Sequence, residues 1–182
     1  MKILKTSDVT ESPWIRLKRA VYENDDGQVL KWDYIERVDT RSSVLIMPRF
    51  KDSGDLIFIR QYRVVMDGYV IGFPAGIISE GEDIAECALR ELEEETGYTG
   101  EIVQISPPLT LNSALIKETA YSVLVELEED AAPKEQVLEP SEKIEVHRVG
   151  KDQLGTFFAD AAAMGDVIGG SLWYMLMATK YL

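Results

Sequence analysis

Segments in which apolar and polar residues alternate, or in which apolar residues run together, predict most of the strands in this chain. Residues 14–22 and 29–38 alternate partially, and the Asn-Asp-Asp-Gly turn at 24–27 between them predicts an N-terminal β-hairpin. The segment 128–141 is polar and predicts a long loop. Further strands are predicted for the more apolar segments 43–47, 56–62, 102–105, 119–127 and 144–149.

Helical periodicity predicts a helix in the middle of the chain. We expect it to run from about residue 81 to 96, with Ser79 as its N-cap and Glu82 reaching back to form a capping box. Gly97 suits the left-handed residue that follows the last helical turn.

Two further helices are predicted near residues 151–164 and 168–181. Strands on both sides of the middle helix, with more helix at the end, favour an α/β fold: an α/β/α sandwich around a mixed sheet, preceded by an antiparallel β-hairpin extension. We therefore divide the chain into an N-terminal hairpin segment, 1–40, and a main domain, 41–182.

The middle helix carries acidic residues where its core-facing stripe should continue. Ile84, Ala88, Glu91 and Glu95 fall on one narrow stripe of the helix surface. An ordinary solvated acidic face would instead lie opposite the apolar residues. Neighbouring carboxylates raise one another's pKa, and a hard divalent cation such as Mg²⁺, or Mn²⁺, removes that repulsion. The stripe therefore predicts a metal site with Glu91 and Glu95 as ligands.

Two other charged residues of this helix have two interpretations each. Arg90 is expected to orient Glu94 or Glu91 through a charge-assisted hydrogen bond, and the alternative is an ordinary surface ion pair with Glu86 or Glu94. Capping alone would explain Glu82, and contact with metal-bound water is its alternative role.

Composition favours a cytoplasmic enzyme with one main domain. The chain has 182 residues, 46% of them hydrophobic, and no apolar run long enough to span a bilayer. Its first residues lack the apolar core of a signal peptide. The single cysteine, Cys87, excludes an internal disulfide and suits a reducing compartment. A net charge of −13 argues against a nucleic-acid partner.

The segment from Gly76 to Gly97 resembles the Nudix box. Its fixed residues are Gly76, then Glu82 after five residues, then Arg-Glu-Leu-Glu-Glu-Glu-Thr-Gly from Arg90 to Gly97. Every fixed position of the box is matched, and only Tyr98 stands where an aliphatic residue is usual. Residues 41–182 are thus expected to be a Nudix hydrolase domain.

The flanking residues are similar to the ADP-ribose and nucleotide-sugar pyrophosphatase branch of that superfamily. The similarity lies in Arg-Gln-Tyr-Arg at 60–63, Gly-Tyr at 68–69, Phe-Pro-Ala-Gly at 73–76, and a hairpin that carries Trp14 and Trp32. It implies a metal-dependent hydrolase that cleaves nucleoside diphosphate sugars, including ADP-ribose, to a nucleoside monophosphate and a sugar phosphate.

Two other functions are weighed against this one. The first is hydrolysis of nucleoside triphosphates or dinucleoside polyphosphates, and the hairpin tryptophans argue against it. The second is a Nudix-fold nucleotide-binding regulatory module without catalysis. The intact Glu91, Glu94 and Glu95 argue against that module, because a protein that only binds has no need of a metal cluster.

The resemblance also implies a homodimer whose N-terminal hairpins reach the partner subunit. Trp14 and Trp32 would stack on the nucleobase, although both could instead be core or interface anchors. Asp33 matches a base-contacting acid, with an edge-strand charge as the alternative. Arg37 and Arg63 match arginines that contact the phosphates.

The implied metal ligands are Glu91, Glu95 and the backbone carbonyl of Ala75. The general base is expected from a mobile loop before the last strand, where Glu142 is preferred over Glu139, while His147 is expected to be structural. Glu94 is the alternative base, within the box.

Two departures from the branch bear on these roles. Pro140 interrupts the acidic pair of the base-carrying loop. The segment 112–115, Asn-Ser-Ala-Leu, lacks the Pro-Gly turn that contacts the terminal ribose in ADP-ribose enzymes, which leaves room for hexose-carrying substrates.

Overall fold

A computed structural model describes residues 2–8, 12–39 and 41–179. Contacts between residues group the chain into two compact units, each described separately below. The first unit contains Met1–Ser42 and Pro108–Ala120, and the second contains Ser43–Pro107 and Tyr121–Leu182. The segment 108–120 thus belongs with the N-terminal residues, and the division after residue 40 stays a prediction.

The described residues form strands and three α-helices. The strands are β1 (Lys2–Asp8), β2 (Ile15–Glu23), β3 (Val29–Arg37), β4 (Ser43–Phe50), β5 (Leu56–Arg63), β6 (Gly68–Gly72), β7 (Ala75–Ile77), β8 (Glu101–Ile105), β9 (Ile116–Lys117), β10 (Ala120–Leu127), β11 (Ile144–Val149) and β12 (Val167–Ile168). The helices are α1 (Ile84–Thr96), α2 (Leu154–Ala163) and α3 (Gly170–Ala178), and short 3₁₀ turns lie at Val64–Met66 and Lys151–Gln153.

The first unit is a four-stranded sheet in the order β1-β2-β3-β9. Its centre is the predicted hairpin, with β2 and β3 antiparallel and Ala20 opposite Trp32. Gly27 has a φ of 78°, the left-handed conformation that this turn needs. Strand β9 pairs in parallel with β3, where Ile35 lies opposite Ile116. The hairpin is confirmed, and β1 and β9 are additions that alternation did not reveal.

The second unit contains an eight-stranded sheet in the order β12-β6-β5-β4-β10-β8, with β11 paired to β5 and β7 paired to β4. The pairing of β12 with β6 is parallel and that of β11 with β5 is antiparallel, so the sheet is mixed as predicted. The five strands predicted after the hairpin are confirmed within a few residues. Strands β6, β7 and β12, of five residues or fewer, lie outside those predictions.

Helices cover both faces of this sheet. On one face Ile57 of β5 packs in a core cluster with Leu92 of α1. On the other face Phe58 packs with Phe158 of α2 and Leu172 of α3. Neighbouring residues of a strand point to opposite faces, so β5 serves both cores. The predicted α/β/α sandwich is confirmed in this unit.

The predicted N-cap of α1 was wrong. The N-cap is Asp83, whose side chain and that of Glu86 form the capping box. Gly81 has a φ of 80°, which interrupts helical conformation, so Ser79 and Glu82 close a separate turn before the helix. At the other end Gly97 has a φ of 76° and ends the helix as predicted.

The C-terminal segment contains two helices with a short strand between them. Helix α2 begins a few residues later than predicted, because Lys151–Gln153 forms a 3₁₀ turn. The predicted end of the last helix, residues 180 and 181, lies outside the described residues. No helix in the described part of the chain is long and apolar enough to cross a membrane.

Candidate active site

Glu95 is a buried carboxylate on the face of α1 that packs on the sheet. Only 2% of its surface is exposed, and its Oε2 accepts a hydrogen bond of 3.0 Å from the backbone N–H of Ala75. Within the described residues Glu95 has no ion pair. Burial raises the pKa of Glu95 to about 8, and the nearby charges of Glu91 and Glu142 act in the same direction. A carboxylate with these surroundings needs a proton or a cation.

Glu91 lies one turn before Glu95 on the same face. Burial raises its pKa, although Arg90 donates to its Oε1 at 2.8 Å and opposes the shift. Gly76 leaves the space that this side chain occupies, because a Cβ on Gly76 would lie 1.9 Å from Cδ of Glu91. Gly76, the first glycine of the box, is therefore in direct contact with Glu91.

Arg90 binds three carboxylates at once. Its Nε donates to Oε1 of Glu82 at 2.7 Å and its Nη2 donates to Oε2 at 3.0 Å, a bidentate pair. Its Nη1 donates to Glu91 and, at 2.9 Å, to Glu94. The pair with Arg90 lowers the pKa of Glu82 to about 2. Arg90 thus contacts both predicted partners, and Glu82 fixes the position of the guanidinium group.

Oxygen atoms of three residues in this region fit a hard divalent cation. Glu91 and Glu95 supply carboxylates, and Ala75 supplies a backbone carbonyl at the edge of β7 that faces Glu95. No group of three or more His, Cys, Asp or Glu side chains among the described residues is arranged to hold a metal ion. Two carboxylates with a carbonyl and water suit Mg²⁺, which keeps several waters when bound to protein. These ligands stay a prediction.

Arg63 and Glu142 lie at the end of the β5–β11 ladder, close to Glu95. The ladder pairs Gln61 with Ile144, and the N–H of Tyr62 donates to the carbonyl of Lys143 at 3.2 Å. One further step along it brings Glu142 level with Arg63. Arg63 lowers the pKa of Glu95 and Glu142 raises it. The structure therefore brings the predicted phosphate ligand and the predicted base to the box glutamates.

The carboxylate of Glu142 closes a turn in its own loop. Its Oε2 accepts a hydrogen bond of 2.9 Å from the N–H of Glu139, and its N–H donates to the Glu139 carbonyl at 2.9 Å. Just before this turn the loop is tied to the end of α1, because Val137 donates to the carbonyl of Glu94 at 2.9 Å. The sequence predicted a polar loop with the general base in it, but not these hydrogen bonds.

The predicted base-stacking tryptophans lie on the first unit. Trp14 is 74% exposed and Trp32 is 51% exposed, so neither is a core residue. The indole N–H of Trp32 donates to the carbonyl of Ala114 at 2.8 Å. This bond fixes the Trp32 ring against the 112–115 segment, a contact 82 residues apart in sequence that alternation could not predict.

Two predicted charged ligands on the first unit already have partners. Asp33 accepts both Nε and Nη2 of Arg19 at 2.6 Å, across the β2–β3 ladder. Arg37 lies 3.4 Å from Asp39. Their roles toward substrate stay predictions.

Comparison of the sequence with known proteins identifies a family. The NUDIX domain model matches residues 39–168. An ADP-sugar pyrophosphatase of Mus musculus is 32% identical over 140 residues, covering 72% of this chain and 64% of that protein. An ADP-ribose pyrophosphatase of Saccharomyces cerevisiae is 35% identical over 164 residues, covering 81% and 70%. The chain thus spans slightly less than two thirds of the mouse relative's length.

The fold of this chain is also similar to that of a solved structure. The crystal structure of an ADP compounds hydrolase superposes with a TM-score of 0.69 and 25% identity, covering 85% of this chain and 82% of that one. The residues from Gly76 to Gly97, with their contacts described above, lie inside the matched range 39–168. The chain belongs to the family of proteins with a NUDIX domain.

Proposed function

We propose that this protein hydrolyses the diphosphate linkage of nucleoside diphosphate sugars, including ADP-ribose, in a reaction that requires Mg²⁺. The products are a nucleoside monophosphate and a sugar phosphate. The relatives named above, an ADP-sugar and an ADP-ribose pyrophosphatase, support this substrate class.

The buried Glu95 is the observation that carries the proposal. Its carboxylate is 2% exposed, has one backbone donor and has a pKa raised to about 8. Burying an ionised carboxylate without a positive partner costs free energy. A bound cation removes that cost, because it stabilises the ionised form, so Glu95 suits the role of a metal ligand. Glu91 and the Ala75 carbonyl complete the proposed ligands.

A divalent cation at this site would neutralise the diphosphate oxygens and lower the pKa of a bound water. Arg63 binds the phosphates from the end of β5. Glu142 accepts the proton of the attacking water as its oxygen bonds to phosphorus and the bridging P–O bond breaks. Arg90 holds Glu91 and Glu94 in position by the hydrogen bonds described above.

The first unit supplies the nucleoside-binding residues and the dimer contact in this proposal. Trp14 and Trp32 stack on the base, and Asp33 and Arg37 contact the base and phosphates. The exposed apolar side chains of the hairpin, which include Trp14 and Val29, support a homodimer, because a single chain leaves them in water. The single cysteine, Cys87, is buried and unpaired, which fits a cytoplasmic protein.

A panel of nucleotide sugars tests the proposal. ADP-ribose, ADP-hexoses, UDP-hexoses, ATP and diadenosine polyphosphates are incubated with the wild type and Mg²⁺, and the products are identified by mass spectrometry. We expect nucleoside monophosphate and sugar phosphate from the sugars. Release of inorganic phosphate or pyrophosphate from ATP, without sugar cleavage, would overturn the proposed substrate class. Sedimentation of the full chain at micromolar concentration tests the dimer.

A further inference from the structure

Gln61 is a buried side chain on β5 with an acceptor that nothing satisfies. It is 5% exposed, and its Oε1 has no hydrogen-bond partner in the described structure. Buried polar atoms in native proteins nearly always have a partner, so an exception needs an explanation. A ligand or an ordered water is one such explanation.

Alternation along β5 places Gln61 on the face that carries the site. Ile57 packs in the core under α1, and Arg63 is close enough to Glu95 to lower its pKa. Gln61 lies between them with the same parity, so its side chain points to the same face. Across the ladder its partner is Ile144, two residues after Glu142.

No donor among the described residues satisfies this acceptor. Arg63 is a donor on the same face, yet it does not bond to Gln61 in the described residues. A donor from outside the chain, such as the O–H group of a water or of a substrate, would satisfy it.

We propose that the Gln61 amide oxygen binds an O–H donor in the reaction site and holds the attacking water for hydrolysis. This inference rests on the proposed function. The same acceptor would suit a sugar hydroxyl of the substrate, so two sources of the O–H group must be told apart. Both make Gln61 a positioning residue of this site.

Replacing Gln61 with methionine tests the proposal, because methionine has a similar length and no acceptor. If the residue were only structural, removing a buried unsatisfied acceptor would leave stability and turnover unchanged or improved. We expect kcat for the best nucleotide sugar to fall about 10- to 100-fold with KM unchanged. We also expect the melting temperature of the metal-free protein to stay level or rise by about 2–4 °C. A rise in KM at constant kcat, varying with the sugar, would assign the donor to the substrate.

His147 provides a matched control. Its Nε2 is the other buried side-chain atom without a partner in the described residues, and its ring lies 5.5 Å from Phe157 of α2. His147→Leu should also keep or raise the melting temperature, but should leave kcat and KM unchanged.

The outcomes separate this inference from the proposed function. Wild-type failure on every nucleotide sugar overturns the proposed function. An active wild type with Gln61→Met turnover within about twofold overturns only the role of Gln61. A melting temperature lowered by more than a few degrees in Gln61→Met, with the activity of the folded fraction retained, would show that the amide already has a stabilising partner in the fold and would also overturn it. Binding of the AMP product, measured by calorimetry, should be unchanged in the variant if water is the donor.

Discussion

Glu95 and Asp166 are both buried carboxylates of the second unit, yet their surroundings differ. Asp166 is 9% exposed and accepts Nε and Nη2 of Arg60 at 2.6 and 2.9 Å. Arg60 also stacks on Tyr69, with its guanidinium carbon 3.6 Å from the ring centre. Glu95 is more deeply buried and has a single backbone N–H.

This difference distinguishes a structural ion pair, Asp166 with Arg60, from the candidate active site around Glu95. The charge of Asp166 is neutralised by a fixed arginine, so the pair is complete and ties the start of β12 to β5. Glu95 has no fixed cation among the described residues and must take a proton or a cation from solution. A buried charge indicates function when its partner is missing from the chain.

Removing the charge of Glu95 should have the largest effect. Glu95→Gln keeps the shape and the Ala75 hydrogen bond but removes the ionised ligand, so kcat/KM should fall by about 10³-fold or more. The metal-free protein should melt at the same or a higher temperature, because the variant no longer buries a carboxylate without an ion pair at this position. Steady-state kinetics and thermal unfolding measure the two effects. Glu93→Gln, on the exposed side of the same helix where Glu93 pairs with Lys134, is the control and should be active. Near-normal turnover of Glu95→Gln would refute its assignment as a ligand.

Breaking the structural pair should cost stability instead. Arg60→Met leaves Asp166 buried without a cation, which should lower the free energy of unfolding by about 3 kcal/mol. Urea unfolding followed by fluorescence checks this. The double variant Arg60→Met/Asp166→Leu should recover most of the loss, because it removes both charges. A double variant as unstable as the single one would show that the loss does not come from an unpaired buried charge.

Glu142 distinguishes catalysis from metal binding. If it accepts the proton of water, Glu142→Gln should lower kcat by about 10²-fold and leave KM and the Mg²⁺ requirement nearly unchanged. Since its charge raises the pKa of Glu95, the variant should also bind metal at slightly lower pH. Kinetics at saturating Mg²⁺ decide between Glu142 and Glu94. Full activity in Glu142→Gln, with the loss found in Glu94→Gln, would place the base in the box.

The sequence predicted that Glu95 is buried in a site, but it did not predict the buried pair of Asp166 with Arg60. Glu95 continues the apolar stripe of α1, so helical periodicity alone indicated that it is buried. Asp166 meets Arg60 across 106 residues of sequence, and no local pattern records such a contact. The same limit explains why the Trp32–Ala114 bond was not predicted.

The lengths of the strands and helices explain most remaining differences between the predicted and the observed elements. Strands β5 and β11 have enough residues to form a recognisable apolar segment, and their predicted bounds agree with the structure to within a residue. Strands β9 and β12 have two residues each, too few for any period. The start of α1 was misplaced because Gly81 adopts a left-handed conformation between two capping sequences.

The pH dependence of stability should give the smallest effect, and it probes the unpaired carboxylate directly. The pKa of Glu95 is raised to about 8 in the folded chain, while an unfolded glutamate titrates near 4.5. Between these values the folded state binds the extra proton, so the metal-free protein should lose stability as pH rises from about 4.5 to 8. Glu82, with its pKa lowered to about 2, contributes stability that is lost only below about pH 4.5, outside this window.

Mg²⁺ competes with the proton, so the rise in melting temperature on adding Mg²⁺ should grow with pH across the same range. Scanning calorimetry at pH 5.5 and 8 should show a fall of about 3 °C or more without metal in the wild type and a much smaller fall in Glu95→Gln. Equal pH profiles in the two proteins would mean that the folded protein binds no extra proton at Glu95. The cost of burying its charge would then be offset by something other than protonation.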